Sequence, residues 1–267
     1  MLLNGPESFT PDGTFMLGET AETKGLFLGC GMNSVGIASG GGAGMNLAHC
    51  ILHGHTAYDL TEADAKRFAP VFNNIDHLMA RAPEILGTHY DIAFPGKQLS
   101  TARNLHALSL ENEYEAAGAH MGQFYGWERP LWFAPKGTQP VDQLDFLKPG
   151  WKKYAAKEHQ TVREGVALID QSSFSKFEII GEGTLKLLQR LCVSNMDKPV
   201  GSVIYTQMCN QNGGTEADIT FIRLKENHFY LITGAGFGVR DSDWIRRSIT
   251  SQSSVHIFEV TSGKAVL

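Results

Sequence analysis

Apolar residues in the first sixty positions follow two different spacings. A short apolar run bounded by glycines, residues 25–31, is typical of a buried strand. A second set recurs at helical steps until Gly54 and predicts a helix; its members are Met45, Leu47, Ala48, Ile51 and Leu52. The glycine cluster between them, residues 36–44, is interpreted as a loop. This segment is therefore predicted to be strand, glycine loop and helix.

The next fifty residues favour helix. Apolar positions at three- and four-residue steps predict a helix over residues 62–79, and Pro70 is expected to kink or break it. Around residues 89–95 the spacing becomes strand-like and stops at a Pro-Gly pair. We therefore expect a mainly helical segment with one strand.

From residue 111 onward the pattern mixes helices and strands. Helices are predicted over residues 113–119, 151–164, 184–191 and 240–249. Strands are predicted over residues 166–170, 176–181, 203–209, 218–224, 229–233 and 255–260, with a polar loop over 136–149. Asn212, Gly213 and Gly214 form a strong hairpin signal. The prediction is an α+β fold with antiparallel pairing.

Composition narrows the class of protein. Of 267 residues, 42% are hydrophobic and 19% charged, as in folded globular chains. A net charge of −5 argues against nucleic acid or an anionic membrane as partner. No apolar stretch approaches the roughly 18 residues of a membrane span, and the first residues do not resemble a signal peptide. Four widely spaced cysteines indicate reduced thiols in an intracellular protein.

Two segments are candidates for binding chemistry, and each also has a purely structural interpretation. The 29 glycines concentrate partly in residues 36–44, where backbone could approach a ligand beside a helix N-terminus or where the helix could pack tightly. On the predicted hairpin, Asp218 lies between apolar neighbours and would need a partner if buried. A solvated turn carboxylate is the alternative for Asp218.

Two further clusters favour structural roles. His49 and His53 share a helix face and could bind a metal, with His55 close by. Because no carboxylate or cysteine lies at motif spacing, we favour histidines that cap helix-end carbonyls and expect no metal site. The cluster of residues 127–130 is interpreted as aromatic packing with a salt bridge.

Nearly the whole chain resembles the dimethylglycine/sarcosine dehydrogenase family. The first half carries the resemblance in residues 4–13 (NGPESFTPDG), 31–37 (GMNSVGI), 40–44 (GGGAG), 101–103 (TAR), 126–130 (GWERP) and 132–133 (WF). The second half carries it in residues 205–208 (YTQM) and 210–218 (NQNGGTEAD), which are similar to the folate-binding domain of the glycine-cleavage aminomethyltransferase. The order of these motifs is specific to the family.

The resemblance implies an enzyme with two cofactors. A flavin adenine dinucleotide (FAD)-dependent oxidoreductase would demethylate an N-methyl amine such as sarcosine or dimethylglycine, and tetrahydrofolate would take the one-carbon unit. Electrons would pass to an electron-transfer flavoprotein or to oxygen. The protein would be cytoplasmic if bacterial and in the mitochondrial matrix if eukaryotic.

The resemblance also assigns site residues. The residues implied to contact FAD are Asn33, Ser34, Val35, Gly36 and Ile37. Tyr205 and Asp218 match folate-contacting positions, and Asp218 is the implied catalytic acid, placed beside the amine nitrogens.

The resemblance implies a chain made of pieces of a longer enzyme. Residues 1–60 would be the C-terminal part of the FAD-dependent oxidoreductase domain, 61–110 its central domain, and 111–267 the N-terminal part of the aminomethyltransferase folate-binding domain. We expect an internal fragment that by itself neither retains FAD nor turns over. A non-catalytic homologue such as the pyruvate dehydrogenase phosphatase regulatory subunit is the alternative, and a free-standing aminomethyltransferase is disfavoured by the first sixty residues.

Overall fold

The structure is a computed structural model that describes residues 5–250 and 254–267. The chain forms two compact units, Met1–Leu168 and Ile169–Leu267, and each is described by itself. Helices and strands are mixed in both units, which confirms the predicted α+β class. The three-part division at residues 60 and 110 stays a prediction. Asn4, the first residue of the matching sequence, lies outside the described residues.

The first unit begins with a hairpin covered by a helix. Its elements are β1 (Met16–Glu19), β2 (Phe27–Cys30) and α1 (Gly36–His53). The two strands pair antiparallel, with Leu17 opposite Gly29. Helix α1 buries only Ala43 and Asn46, and Ala43 joins Leu17 in a small hydrophobic core. The predicted strand is confirmed, and so is the predicted helix, which forms the second half of α1.

The glycine cluster expected as a loop is instead the first half of α1. Glycine costs about 1 kcal/mol relative to alanine inside a helix, so the local sequence alone disfavours this outcome. Packing of the buried α1 stripe on the hairpin overrides that preference. Apart from the adjoining residues and backbone of α1 itself, a Cβ would meet no atom of the described chain within 4 Å at Gly40, Gly41, Gly42 and Gly44. Tight packing within the described residues therefore does not explain these four glycines.

The region after α1 differs from the sequence prediction. Three short 3-10 turns, Thr61–Ala63, Ala65–Arg67 and Pro70–Phe72, replace the first part of the predicted helix 62–79. Helix α2 begins later and spans Ile75–Thr88. The Asn74 side chain caps it by accepting from two backbone amides, which fixes the start that apolar spacing could not locate. Residues 89–95 form turns and irregular backbone rather than a strand.

Helix α2 buries polar residues on the face it packs inward. His77 and Arg81 are nearly inaccessible, whereas Ile75 and Met79 on the opposite face are both 68% exposed. Burial lowers the pKa of His77, and the nearby charge of Arg81 lowers it further. Arg81 Nη2 donates to Gln123 Oε1 at 2.8 Å. The apolar residues Ile75 and Met79 therefore lie on the exposed face of α2, although Ile85 is buried together with His77 and Arg81.

The remainder of the first unit is built on a second hairpin. Its elements are α3 (Glu111–Ala116), β3 (Ala119–Phe124), β4 (Trp127–Phe133) and α4 (Lys152–Glu164). The predicted helix 151–164 and polar loop 136–149 are confirmed, and helix 113–119 is displaced by two or three residues. The strand predicted over residues 166–170 is wrong, because these residues are irregular.

A buried ion pair links β4 to the loop before α3. Arg103 Nε donates to both carboxylate oxygens of Glu128, at 2.9 and 3.0 Å, and the amide of Asn104 adds a third bond at 2.9 Å. The Glu128 side chain is 1% exposed. Burial by itself raises the pKa of Glu128, but the hydrogen bonds from Arg103 and Asn104 leave it lowered overall. The expected salt bridge is therefore present, with Arg103 rather than Arg129 as the partner.

The second unit is a five-stranded antiparallel sheet in the order β6-β7-β8-β5-β9, with two helices. The strands are β5 (Ser175–Ile180), β6 (Val203–Cys209), β7 (Thr215–Lys225), β8 (His228–Thr233) and β9 (His256–Glu259). The helices are α5 (Thr184–Leu191) and α6 (Gly238–Arg247). All seven elements coincide with predicted segments to within about three residues, including the hairpin at residues 212–214.

One face of this sheet carries the hydrophobic core. Phe177, Phe221, Phe229 and Leu231 are almost completely buried there, together with Leu188 of α5. Because side chains alternate along a strand, the residues between these positions lie on the opposite face. That outer face carries the predicted site residues Tyr205 and Asp218, described below.

Asp241 is a buried carboxylate on α6. It is 2% exposed and accepts a hydrogen bond from the Thr233 hydroxyl. Burial raises the pKa of Asp241 to about 6, although the bond from Thr233 opposes the change. Because the folded-state pKa lies above the unfolded one, ionisation of Asp241 destabilises the fold. That cost is absent at low pH and complete above about pH 6.

We predict that Glu128→Ala lowers the free energy of unfolding by about 3–5 kcal/mol, because Arg103 loses its partner in a buried site. Asp91→Ala is the matched control, since Asp91 forms an exposed pair with Lys97 at 3.1 Å. Asp91→Ala is expected to lower the free energy of unfolding by less than about 1 kcal/mol. Urea unfolding of both variants measures the two values, and equal losses would contradict the assignment.

We predict that Asp241→Asn gains stability relative to the natural chain as pH rises. The difference in unfolding free energy should increase by on the order of 2–3 kcal/mol between pH 4 and pH 7.5. A pH-independent cost of burying the amide does not affect this slope. Thr233→Val is the companion variant: without the hydroxyl, the pKa of Asp241 rises further and the chain itself should depend more steeply on pH. A flat difference for Asp241→Asn would refute the prediction.

Candidate functional site

The turn between β2 and α1 is held in a strained conformation. Asn33 and Ser34 have φ angles of 45° and 65°, in the left-handed region that few non-glycine residues adopt. The Asn33 side chain braces the turn: Oδ1 accepts from the Thr10 amide at 2.9 Å, and Nδ2 donates to Thr10 Oγ1 at 3.1 Å. Asn33 is only 1% exposed. Its side chain therefore supports the turn from inside.

The start of α1, which follows this turn, is accessible. Val35 precedes the helix with no side-chain cap among the described residues, and Ile37 in the first turn is fully exposed. The first amides of a helix lack intrahelical partners and carry partial positive charge, which favours an electron-rich group. A Cβ on Gly36 would lie 3.2 Å from the Met32 side chain, so glycine avoids a tight contact there. An exposed, uncapped helix start could therefore donate to an electron-rich group of a ligand.

Tyr205 and Asp218 come together on the outer face of the five-stranded sheet. Tyr205 pairs with Thr220 in the β6–β7 ladder, and Gln207 pairs with Asp218, so Tyr205 and Asp218 are diagonal neighbours. A hydrogen bond to Asp218 raises the pKa of Tyr205, and burial and the charge of Asp218 act in the same direction. Gln207 Nε2 lies 3.4 Å from Asp218 Oδ1. The Tyr205 hydroxyl therefore donates a hydrogen bond to the negatively charged carboxylate of Asp218.

Asp218 is exposed in the described chain, as the solvated alternative expects. Water can therefore reach the Asp218 carboxylate. The surrounding face is more apolar than a typical solvated turn, because Val203 and Tyr205 are exposed beside half-buried Ile222 and Ile232. A surface of this kind could hold an aromatic ring that bears basic nitrogens, with the ring on the apolar contacts and a nitrogen at the carboxylate.

A polar cluster supports the hairpin that carries Asp218. Asn210 Oδ1 accepts from the amides of Asn212 and Gly214, which closes the turn. The Glu216 carboxylate accepts from Asn210 Nδ2 at 2.8 Å and pairs with Arg240 at 3.0 Å. Glu216 lies inside the motif of residues 210–218, whereas Arg240 lies in none of the motifs. No local pattern could identify Arg240, because its partner is 24 residues away and on another element.

The three histidines singled out from the sequence lie close together in the structure. The rings of His49, His53 and His55 gather at the end of α1, with centroids 4.3–6.5 Å apart. Within residues 5–250 and 254–267, no group of three or more His, Cys, Asp or Glu side chains is arranged to hold a metal ion. In the same ranges, no helix has the length and apolar character needed to cross a membrane.

Two family models match the chain in succession. Residues 53–107 match the FAD dependent oxidoreductase central domain, and residues 110–267 match the GCVT N-terminal domain. The second model alone covers more than half of the chain. The two sites described above fall on different segments, since the turn of Asn33 precedes the first match and Tyr205 and Asp218 lie inside the second.

Curated relatives align along nearly the whole chain. The 4-methylaminobutanoate oxidase (formaldehyde-forming) of Paenarthrobacter nicotinovorans is 34% identical over 99% of this chain and 32% of its own length. Human mitochondrial sarcosine dehydrogenase is 35% identical over 84% of this chain and 27% of its own length. The mitochondrial pyruvate dehydrogenase phosphatase regulatory subunit of Mus musculus is 34% identical over 97% and 30%. The chain thus spans about a third of the length of these relatives.

We predict that Asp218→Asn lowers the pKa of Tyr205, because the variant removes both the negative charge and the carboxylate acceptor. Ultraviolet titration of the phenolate absorbance measures the shift, and subtraction of a Tyr205→Phe variant isolates this tyrosine from the other six. Glu182→Gln, an exposed carboxylate of the same unit outside β6 and β7, should leave the Tyr205 titration unchanged. An unaltered titration in Asp218→Asn would show that the pair does not form.

Proposed function

We propose that this chain, which belongs to the dimethylglycine/sarcosine dehydrogenase family, is the part of an FAD-dependent enzyme that links oxidation of an N-methyl amine to one-carbon transfer. Family membership rests on the two consecutive domain matches and on relatives that oxidise methylated amines. The substrates we propose are sarcosine or dimethylglycine, with tetrahydrofolate as one-carbon acceptor. Electrons leave to an electron-transfer flavoprotein or to oxygen.

The proposed flavin contact is the segment from Asn33 to Ile37. FAD supplies the hydride acceptor for the amine when it is bound. The backbone amides at the start of α1, near Gly36 and Ile37, donate to the electron-rich edge of the ring and stabilise negative charge there. The Asn33 side chain has an indirect role: its hydrogen bonds to Thr10 hold Ser34 and Val35 in the strained turn.

The proposed folate contact is the Tyr205–Asp218 pair. The ionised Asp218 carboxylate accepts from, and electrostatically stabilises, an amine nitrogen that gains positive charge as the one-carbon unit is captured. Tyr205 donates a hydrogen bond to the same carboxylate and presents its ring to the ligand. The observation that carries this proposal is the placement of a carboxylate and a neutral phenol together on an open, partly apolar sheet face inside the GCVT match.

Binding of a stable reduced folate tests this role without requiring turnover. We predict that 5-formyltetrahydrofolate binds the chain and that Asp218→Asn weakens the affinity roughly tenfold to hundredfold, the value of one charge-assisted hydrogen bond. Tyr205→Phe should weaken it less, because the carboxylate remains. Isothermal titration calorimetry measures the three affinities.

Glu182→Gln provides the control for a general loss of negative charge and should bind like the natural chain. Equal affinity of Asp218→Asn and the natural chain would contradict the role assigned to the carboxylate. Circular dichroism of each variant separates a binding defect from misfolding.

The second candidate function is that of a non-catalytic regulatory homologue. Its support is the 34% identity to the mouse phosphatase regulatory subunit, which extends over 97% of this chain. The same titration separates the two functions, because a regulator that has lost folate gives no saturable binding. The paired Tyr205 and Asp218 favour the enzyme, since a regulator has no requirement for a carboxylate held beside a phenol.

A further inference from the structure

The histidines at the end of α1 are not used by either proposed site. His49 and His53 are four residues apart on one face of the helix, and their ring centroids are 4.3 Å apart. Two imidazoles at this spacing can hold one metal ion between them, as in helical H-x-x-x-H zinc motifs. Both side chains reach solvent, with His53 the more exposed of the two.

The orientation of His49 is fixed by a backbone carbonyl. Its Nδ1 lies 2.8 Å from the carbonyl oxygen of His55, which can only accept, so Nδ1 carries the proton. The lone pair of the neutral ring is then on Nε2. A hydrogen bond of this kind from the second ring nitrogen to a carbonyl is the usual support of metal-ligating histidines, because it sets the tautomer and restricts rotation of the ring.

The helix end creates this support. Gly54 adopts a left-handed conformation, with φ of 81°, and ends α1 by donating to the Cys50 carbonyl. The chain changes direction at Gly54, which places the His55 carbonyl beside His49 Nδ1. The C-terminus of a helix also carries partial negative charge, which favours a bound cation. The sequence alone offered helix-end capping as the explanation of this cluster, but capping uses one nitrogen of His49 and leaves the other for a ligand.

We propose that His49 and His53 bind a divalent transition-metal ion such as Zn²⁺ through their Nε2 atoms, with water completing its coordination. Imidazole suits Zn²⁺, Ni²⁺ and Cu²⁺ and disfavours Mg²⁺ and Ca²⁺. His55 is a supporting residue in this site, and it acts through its backbone carbonyl. The Nδ1 of His55 lies 2.9 Å from the Thr56 carbonyl, and the described residues contain no group of three potential ligands. The site therefore has two protein ligands.

Zn²⁺ titration of the 267-residue chain tests the proposal with three matched variants. We expect one saturable Zn²⁺ per chain at this site, weakened at least about tenfold by His49→Gln and by His53→Gln. His55→Gln should change the affinity less than about twofold, because its carbonyl remains. Mg²⁺ should not compete. Loss of binding in His55→Gln equal to that in His53→Gln, or unchanged binding in His53→Gln, would overturn the site.

Imidazole nitrogen chemical shifts provide a second readout that does not depend on affinity. Zn²⁺ should shift Nε2 of His49 and His53 while the Nδ1 proton of His49 persists, and the Gln variants assign these signals among the ten histidines. Coordination through Nδ1 of His49, or no shift of either ring at saturating Zn²⁺, would overturn the proposed geometry. Circular dichroism of the variants excludes unfolding as the cause of lost binding.

Discussion

The alternation of side chains along β7 determines both the core of the second unit and its proposed site. Ala217, Ile219 and Phe221 point to the buried face, so Asp218 and Thr220 must point to the other. A slip of one residue would bury a carboxylate and expose three apolar side chains, at a cost of several kcal/mol. Burial of the core therefore fixes the register that brings Asp218 next to Tyr205 at the proposed site.

A different constraint acts at the start of α1. There the chain holds two consecutive left-handed residues, which cost of order 1–3 kcal/mol each outside glycine. Asparagine tolerates this conformation better than most residues, and the bonds of Asn33 to Thr10 and Ser8 compensate the strain. The turn is thus maintained by a buried side chain while its backbone stays accessible.

Local sequence patterns predicted the second unit well and the first unit poorly, for physical reasons. Strands that pack one face on a large core show alternating apolar and polar residues in the sequence. The Asn-Gly-Gly turn located the β6–β7 hairpin. In the first unit, α2 packs Arg81 and His77 inward and leaves Ile75 exposed, so apolar periodicity misidentified the buried face. The pairing of Arg240 with Glu216 depends on a partner 24 residues away on another element, which no local window of sequence reveals.

Exposure of Asp218 sets a condition on its proposed role. A unit charge 4 Å from an opposite charge is stabilised by about 1 kcal/mol in water but by about 4 kcal/mol at the effective dielectric of a protein surface. The carboxylate therefore contributes strongly to a developing cation only when water is excluded from it. Val203 and Ile222 form the next same-face cross-strand pair beyond Tyr205 and Thr220 and give that side of the face an apolar surface, and a bound aromatic ring would itself displace water from Asp218. The apolar residues beside Tyr205 are for this reason as much a part of the proposed site as the carboxylate.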